Sequence, residues 1–163
     1  MLENKLLTIP ATQWVVSQVV THDWYDGPRQ GCCLLAYPAV EFIFDLVDEE
    51  HDPDGLDMRI VQLKELPPGS VVSLVEALQE LGLGPAVKPV WVPTWSFPTE
   101  QARQQAETRI ETLEAGARST NLLVSTTDMT HFTHCWKLGD TRPSTLGFTH
   151  VVPLPGQPAE TAE

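Results

Sequence analysis

The chain has 163 residues, 42% of them apolar, which is enough for the buried core of one domain of ordinary size. Its 22 acidic residues outnumber its 10 lysines and arginines, and the formal charge is −12. Such a field repels phosphate backbones and anionic membranes, so it argues against nucleic-acid or membrane binding. It would favour a basic partner or a cation, but high solubility alone is the preferred interpretation.

Cysteine usage and the first residues indicate the compartment. Cys32 and Cys33 are adjacent while Cys135 is distant, so the three cysteines do not form the even set of a disulfide framework. Residues Met1–Lys5 contain no basic stretch followed by a long apolar run, and no segment approaches the length of a membrane span. We therefore expect reduced thiols and a cytoplasmic protein.

Four segments in the first half of the chain have the β-branched or alternating pattern of strands. They are Trp14–Thr21, Gly31–Tyr37, Val40–Val47 and Asp57–Leu66. The connections between them are too short to hold crossover helices, which predicts an antiparallel meander. The third strand alternates clearly, with Val40, Phe42, Phe44 and Leu46 on one face and Glu41 and Asp45 on the other.

A first helix is predicted over Val71–Leu81, where apolar residues recur at helical spacing. Ser70 is placed to cap the N–H groups of its first turn. Gly82 stands where a left-handed residue would end the helix, and Pro85 prevents its continuation. Cap, apolar stripe and stop signal therefore agree on this element.

A second helix is predicted over Thr99–Arg118, with a stripe of small and apolar residues. The spacing of Arg103 with Glu107, and of Glu114 with Arg118, predicts two weak ion pairs on its surface. We expect the apolar faces of both helices to cover one side of the sheet.

Asn121–Thr127 is predicted to be a further strand, before a segment rich in histidine. The predicted fold class is α+β, an antiparallel β-meander of about five or six strands with two amphipathic helices packed on one face. Residues 1–152 are expected to form a single domain. Residues 153–163 contain three prolines and no aromatic residue, which predicts a disordered tail.

Asp128–Trp136 is the segment densest in chemically active side chains, with two of the five histidines and one of the three cysteines. On a helix, His131 and His134 would share a face and could bind one metal with Asp128, whereas on a strand they would point to opposite faces. The composition favours a strand, with His131, Thr133 and Cys135 on one side and Phe132, His134 and Trp136 on the other. No Cys-x-x-Cys or His-Glu-x-x-His motif is present. We therefore expect no metal and no cofactor, and His131, His134 and Asp128 remain the metal candidates.

A cysteine nucleophile is the alternative chemistry. Cys135 beside His134, or Cys33 near a histidine brought in by the fold, could form a thiolate–imidazolium pair. Cys33 lies in an apolar strand, however, where cysteine usually acts as a small hydrophobic residue. The catalytic candidates are His131, His134, Cys135 and Cys33.

An acidic loop follows the third predicted strand, and no lysine or arginine occurs there before Arg59. Its carboxylates are Asp45, Asp48, Glu49, Glu50, Asp52, Asp54 and Asp57. If Asp52 is counted as the first position of a calcium loop, Gly55 is fourth instead of sixth, and strands flank the loop instead of helices. A solvated hairpin tip is the preferred interpretation, and recognition of a basic partner is the other.

An aromatic segment with three prolines spans Pro89–Pro98. The prolines exclude a central strand, so an edge strand or an extended loop is predicted there. Trp91, Trp95 and Phe97 could stack against a ligand or a partner, or they could pack this long connection onto the sheet.

The loop Trp24-Tyr25-Asp26-Gly27-Pro28 contains a turn signal and has the same two interpretations, an anchor for the loop or a binding tip. Followed by the short apolar meander, it resembles small bacterial domains of unassigned function, over about Asp23–Leu66. The resemblance rests on this one short motif. It implies no activity and transfers no catalytic residue.

The sequence leans towards a non-enzymatic function. The absence of a complete catalytic motif, the acidic charge and the aromatic loops together predict an intracellular binding or protein-interaction domain. Trp24, Tyr25, Asp26, Trp91, Trp95 and Phe97 are its binding candidates. The alternative is a small hydrolase or metal-dependent enzyme that uses the His/Cys cluster.

Overall fold

The structure, a computed structural model, describes residues 1–51, 57–82, 90–91 and 97–140. In chain order its elements are α1 (Leu2–Leu6), β1 (Val15–Trp24), β2 (Pro28–Tyr37), β3 (Glu41–His51), β4 (Asp57–Glu65), α2 (Ser70–Glu80), β5 (Val90–Trp91), α3 (Glu100–Ala115), β6 (Arg118–Thr126) and β7 (Phe132–Lys137). A single 3-10 turn, Ala11–Gln13, precedes β1.

The described strands form one sheet in the order β5-β1-β2-β3-β4-β6-β7. Six of them pair antiparallel, while β5 runs parallel to β1 at one edge. The predicted α+β class and antiparallel meander are confirmed. Val90–Trp91 takes the edge position, where a proline-rich segment can be accommodated.

Antiparallel pairing places three connections at the same end of the sheet, which we call the turn end. They link β1 to β2, β3 to β4, and β6 to β7. The aromatic loop at Tyr25, the acidic segment of β3, and the turn with Asp128 and His131 therefore lie at one end of the molecule.

The sheet is coiled, and the N-terminal segment packs into its concave face. Trp14, directly before β1, has its ring centroid 5.1 Å from that of Phe132 in β7. Strands β1 and β7 are five positions apart in the sheet, and in a flat sheet the distance between them would be about 24 Å. Coiling brings both ends around a core that includes Leu2 and Leu6 of α1, each fully buried. The sequence patterns did not predict α1.

The opposite, convex face is covered over β1, β2 and β3 by α2 and α3. The core between them consists mainly of Val20, Cys32, Ile43, Leu66, Val71, Leu74, Val75, Leu78, Ala106 and Ile110. The predicted packing of two helices on one face is confirmed. Gly82, with φ of +104°, ends α2 as predicted, and Arg103 pairs with Glu107 on α3. None of the helices in the described ranges combines the length and the apolar character needed to cross a bilayer.

The N terminus of α2 is capped from the sheet, and the predicted cap by Ser70 is wrong. The Ser70 hydroxyl donates to the carbonyl of Pro67 at 2.6 Å instead of accepting from the helix. The cap is the carboxylate of Glu41 in β3, which accepts the N–H of Val71 at 2.7 Å and also that of Gly69. Glu41 is only 8% exposed, so a buried charge is stabilised by the first turn of a helix.

The predicted ion pair between Glu114 and Arg118 is also wrong. Helix α3 ends at Ala115, and Arg118 begins β6. Arg118 instead bonds the carboxylates of Glu3 and Glu65, which ties the N-terminal segment to the sheet. A spacing of four residues predicts a contact only where the helix continues through both positions.

Candidate functional site

The β1–β2 connection is a tight turn that presents an aromatic side chain to solvent. The N–H of Tyr25 donates to the carbonyl of Gly27 at 2.9 Å. Asp26 and Gly27 have φ of 53° and 132°, a region in which aspartate and especially glycine are tolerated. Tyr25 is left 70% exposed and Trp24 37% exposed.

A buried arginine holds this turn from the concave side. Arg59 of β4 is 3% exposed, and its guanidinium donates to the backbone carbonyls of Asp26 and of Pro28, the latter at 3.5 Å. It also donates to the Glu49 carboxylate at 2.9 Å. A Cβ at Gly27 would overlap the guanidinium, so a larger residue there would displace Arg59 as well as strain φ. The turn is therefore preorganised by charge-assisted hydrogen bonds.

Exposed carboxylates are close to Tyr25 in the sequence. Asp23 precedes it by two positions and Asp26 follows it directly, while Arg29 is an exposed cation on the other strand of the hairpin. The predicted acidic loop proves in part to be strand, because β3 continues past Val47 to His51. It carries Asp48, Glu49 and Glu50 along the turn end. Asp52 and Asp54 lie outside the described residues.

The β6–β7 turn holds Asp128 and His131 on a well-bonded backbone. Asp128 Oδ1 accepts the N–H of Thr130 at 2.9 Å and lies 3.6 Å from Nδ1 of His131. Although partial burial favours the neutral carboxyl, hydrogen bonds from Thr130 and the nearby imidazole keep the pKa of Asp128 below its ordinary value. Met129, with φ of 67° and a fully buried side chain, anchors this turn in the concave core.

This Asp128–His131 pair faces water. The His131 side chain is 82% exposed. His134 lies on the strand that follows, with its ring centroid 6.0 Å from that of Trp136. Across the part of the chain that the structure describes, no three His, Cys, Asp or Glu side chains are placed to hold a metal ion.

A bulge at Thr133 changes the expected alternation of β7. The pairing of β6 with β7 passes over Thr133, so the residues before and after it are shifted by one position. Phe132 and Cys135 consequently both pack on the concave core, while Trp136 packs with Ile60 and Leu123 on the other face, next to His134. The predicted grouping of Phe132 with His134 and Trp136 is therefore wrong.

The three cysteines are free and protonated at neutral pH. Burial raises the pKa of Cys135 to about 12 and that of Cys33 well above its ordinary range. The pKa of Cys32 is also raised to about 12, by burial first and then by the Glu41 carboxylate. Because the thiolate is the reactive form, the candidates Cys33 and Cys135 are held in their unreactive state.

A cleft of about 260 Å³ separates the N-terminal segment from β7. Residues 6–12 line one side, and Thr133, His134 and Cys135 of β7 line the other. His134 and Cys135 are successive strand residues that point to opposite faces of the sheet. A cleft that touches both must run along the outer edge of β7.

The aromatic segment Pro89–Pro98 is described only in part. Phe97 is half-buried and packs against the core between α2 and α3. The side chain of Trp91 and the whole of Trp95 lie outside the described residues. The contact made by Phe97 agrees with a packing role for this end of the segment.

Comparison of the chain with protein-family models, with curated proteins and with solved structures found no match.

Proposed function

We propose that this protein is a non-enzymatic binding module that recognises a basic protein partner through the β1–β2 turn. The observation that carries the proposal is Tyr25, 70% exposed on a turn that the buried Arg59 holds in place. An aromatic side chain on a fixed backbone has few torsions to lose on binding, and burying its ring supplies much of the binding energy. A fold that uses a buried charge to fix an exposed tyrosine is well suited to recognition.

The charge around Tyr25 supports a cationic partner. Asp23 and Asp26 are exposed residues on either side of Tyr25 in the sequence, and a lysine or arginine that lies on the ring could bond one of these carboxylates. The formal charge of −12 would steer such a partner over a longer range. Three free thiols agree with the reducing interior of a cell as the place of this interaction.

The alternative is a small hydrolase or metal-dependent enzyme at the β6–β7 turn. It is supported by the contact of Asp128 with His131, since a carboxylate commonly orients an imidazole that takes up protons or binds metal. The raised pKa of Cys135 counts against a thiol nucleophile there. Elemental analysis of protein purified without added metal distinguishes the two, because a stoichiometric transition metal would favour the enzyme.

Capture of partners from a native lysate at low salt tests the binding function. The wild-type protein should retain a basic partner that elutes as salt is raised, because exposed charges are screened. Tyr25→Ala should lose it. The matched control is Tyr37→Ala, since Tyr37 is 52% exposed at the other end of the same hairpin. Equal capture by the wild type and Tyr25→Ala, or repeated recovery of no protein partner, would contradict the proposal.

A further inference from the structure

Strand β7 ends the sheet, and among the described residues no strand lies beyond it. Its register fixes which of its backbone groups point outward. The N–H of Leu138 donates to the carbonyl of Asn121, so hydrogen-bonded pairs recur at every second position from there, first at Trp136 and then at His134. Cys135 lies between these two positions, and its N–H and C=O therefore point away from β6.

These outward groups are available for bonding. By this register, neither the N–H nor the C=O of Cys135 bonds to β6, and none of the turn, loop and cap bonds of the described residues occupies them. Lys137 directs its N–H the same way, while its carbonyl accepts from the N–H of Asp140 at 3.1 Å. Two donors and one acceptor thus stand in a row on the outer edge, spaced as one side of a β-ladder.

The outward backbone groups of β7 line one side of the cleft, and the N-terminal segment lines the other. This opposite side is formed by residues 6–12, which include Ile9 and Pro10, so the cleft has apolar surface as well as a hydrogen-bonding edge. The three strand residues that line it span about 10 Å. This is the shape that an extended peptide fills when it adds a strand to a sheet.

We propose that the outer edge of β7, between Thr133 and Lys137, docks an extended, lysine- or arginine-bearing segment of a partner protein as an additional antiparallel strand. A residue of that segment exchanges both backbone hydrogen bonds with Cys135, and the N–H of Lys137 supplies a third. This site is separate from Tyr25.

The net charge favours a basic partner over a second copy of this chain as the occupant of the β7 edge. Each copy carries a formal charge of −12, so edge-to-edge pairing of two copies is opposed by repulsion, whereas a basic segment is attracted. Lys137, exposed on the edge strand, further disfavours uncontrolled pairing with other sheets.

Amide hydrogen exchange followed by NMR tests the free edge. The amides of His134 and Trp136 should exchange slowly because they bond to β6, and those of Cys135 and Lys137 should exchange at least tenfold faster. Equal protection of all four amides would overturn the proposal, because the edge would already be covered. Protection of Cys135 that disappears on dilution would also overturn it, since the occupant would then be a second copy.

Binding is tested with a soluble peptide of alternating threonine and valine flanked by lysines, and with the same peptide N-methylated at alternate amides. The first peptide should slow exchange at Cys135 and Lys137, and the methylated peptide should not. Absence of protection by the first peptide at saturating concentration, or equal protection by both, would refute strand addition.

Two variants at one position separate the backbone from the side chain. Cys135→Pro removes the outward N–H, which an edge strand tolerates, and should abolish protection at Lys137 by the peptide. Cys135→Ala keeps the N–H and should preserve it. If Cys135→Pro does not fold, the N-methylated peptide still decides the question. Tyr25→Ala should bind the peptide as the wild type does, so failure at the turn and failure at the edge are distinguishable.

Discussion

Replacing Glu41 tests whether a carboxylate of the sheet holds the start of α2. Glu41→Ala removes both acceptors, and the N–H of Val71, a fully buried residue, is left without a partner. Loss of a side-chain cap costs about 0.5–2 kcal/mol, and a buried unsatisfied N–H costs about 1–3 kcal/mol. Because these ranges describe overlapping effects, we expect the free energy of unfolding to fall by about 2–3 kcal/mol.

Glu41→Gln separates hydrogen bonding from charge. The amide keeps one carbonyl oxygen that can accept from Val71, but it loses the second acceptor and the attraction of a carboxylate to the helix N terminus. That attraction contributes roughly 0.3–1 kcal/mol, so we expect a loss of about 1 kcal/mol, clearly smaller than for alanine.

Urea denaturation monitored by far-UV circular dichroism measures both variants. Glu76→Ala is the matched control, because Glu76 is an exposed carboxylate of α2 and its loss should change stability by less than about 0.5 kcal/mol. A cost for Glu41→Ala no greater than that of the control would refute the cap. So would equal costs for glutamine and alanine, since the retained acceptor would then contribute nothing.

Three further predictions address the turn, the pH dependence and the thiols. Arg59→Met should lower the free energy of unfolding by about 2–4 kcal/mol and increase backbone motion at Tyr25 in NMR relaxation, because Glu49 and two carbonyls lose their donor; unchanged motion would contradict the anchoring role. Glu114 of α3 lies 3.4 Å from Nδ1 of His22, and this contact lowers the pKa of that carboxyl from 4.5. A carboxyl whose pKa is lower in the folded state stabilises the fold at pH values above its unfolded-state pKa. The stability that Glu114→Gln removes should therefore be present near neutral pH and disappear as the pH falls below 4.5. If urea titrations of the variant and the wild type differ by the same free energy at every pH, the contact is unimportant. Iodoacetamide at neutral pH should leave all three cysteines unmodified in the folded protein and label all three in urea, as read by mass spectrometry; rapid labelling of native Cys135 would revive the nucleophile hypothesis.

Elements whose signals lie within a single segment were predictable. The helix over Val71–Leu81 differs from the observed α2 by one residue at each end, because its apolar stripe and the glycine that ends it are local. Its cap was not predictable, since Glu41 precedes Val71 by 30 residues and only the sheet brings them together. The bulge at Thr133 was missed for a similar reason, because a bulge depends on the register with a neighbouring strand.

In the candidate site, too, features with local sequence signals were predictable and those that depend on distant residues were not. The aromatic turn was visible as a motif, because the turn signal at Asp26 and Gly27 depends on conformations that few residue types adopt. Arg59 was missed, although a cation beside Ile60 and Val61 in a predicted strand is a signal for a buried partner. Its acceptors lie 33 and 31 positions earlier, at Asp26 and Pro28, so the sequence alone could not identify them.

The contact of Trp14 with Phe132 joins two positions separated by nearly the whole described chain. Closing a loop of that length is entropically costly, and it becomes favourable only after the strands between have assembled. During synthesis, before β7 has left the ribosome, the concave core lacks Phe132. Trp14 and the leucines of α1 would then lie against an incomplete core. Folding of the described sheet is thus expected to finish abruptly, once β7 is added.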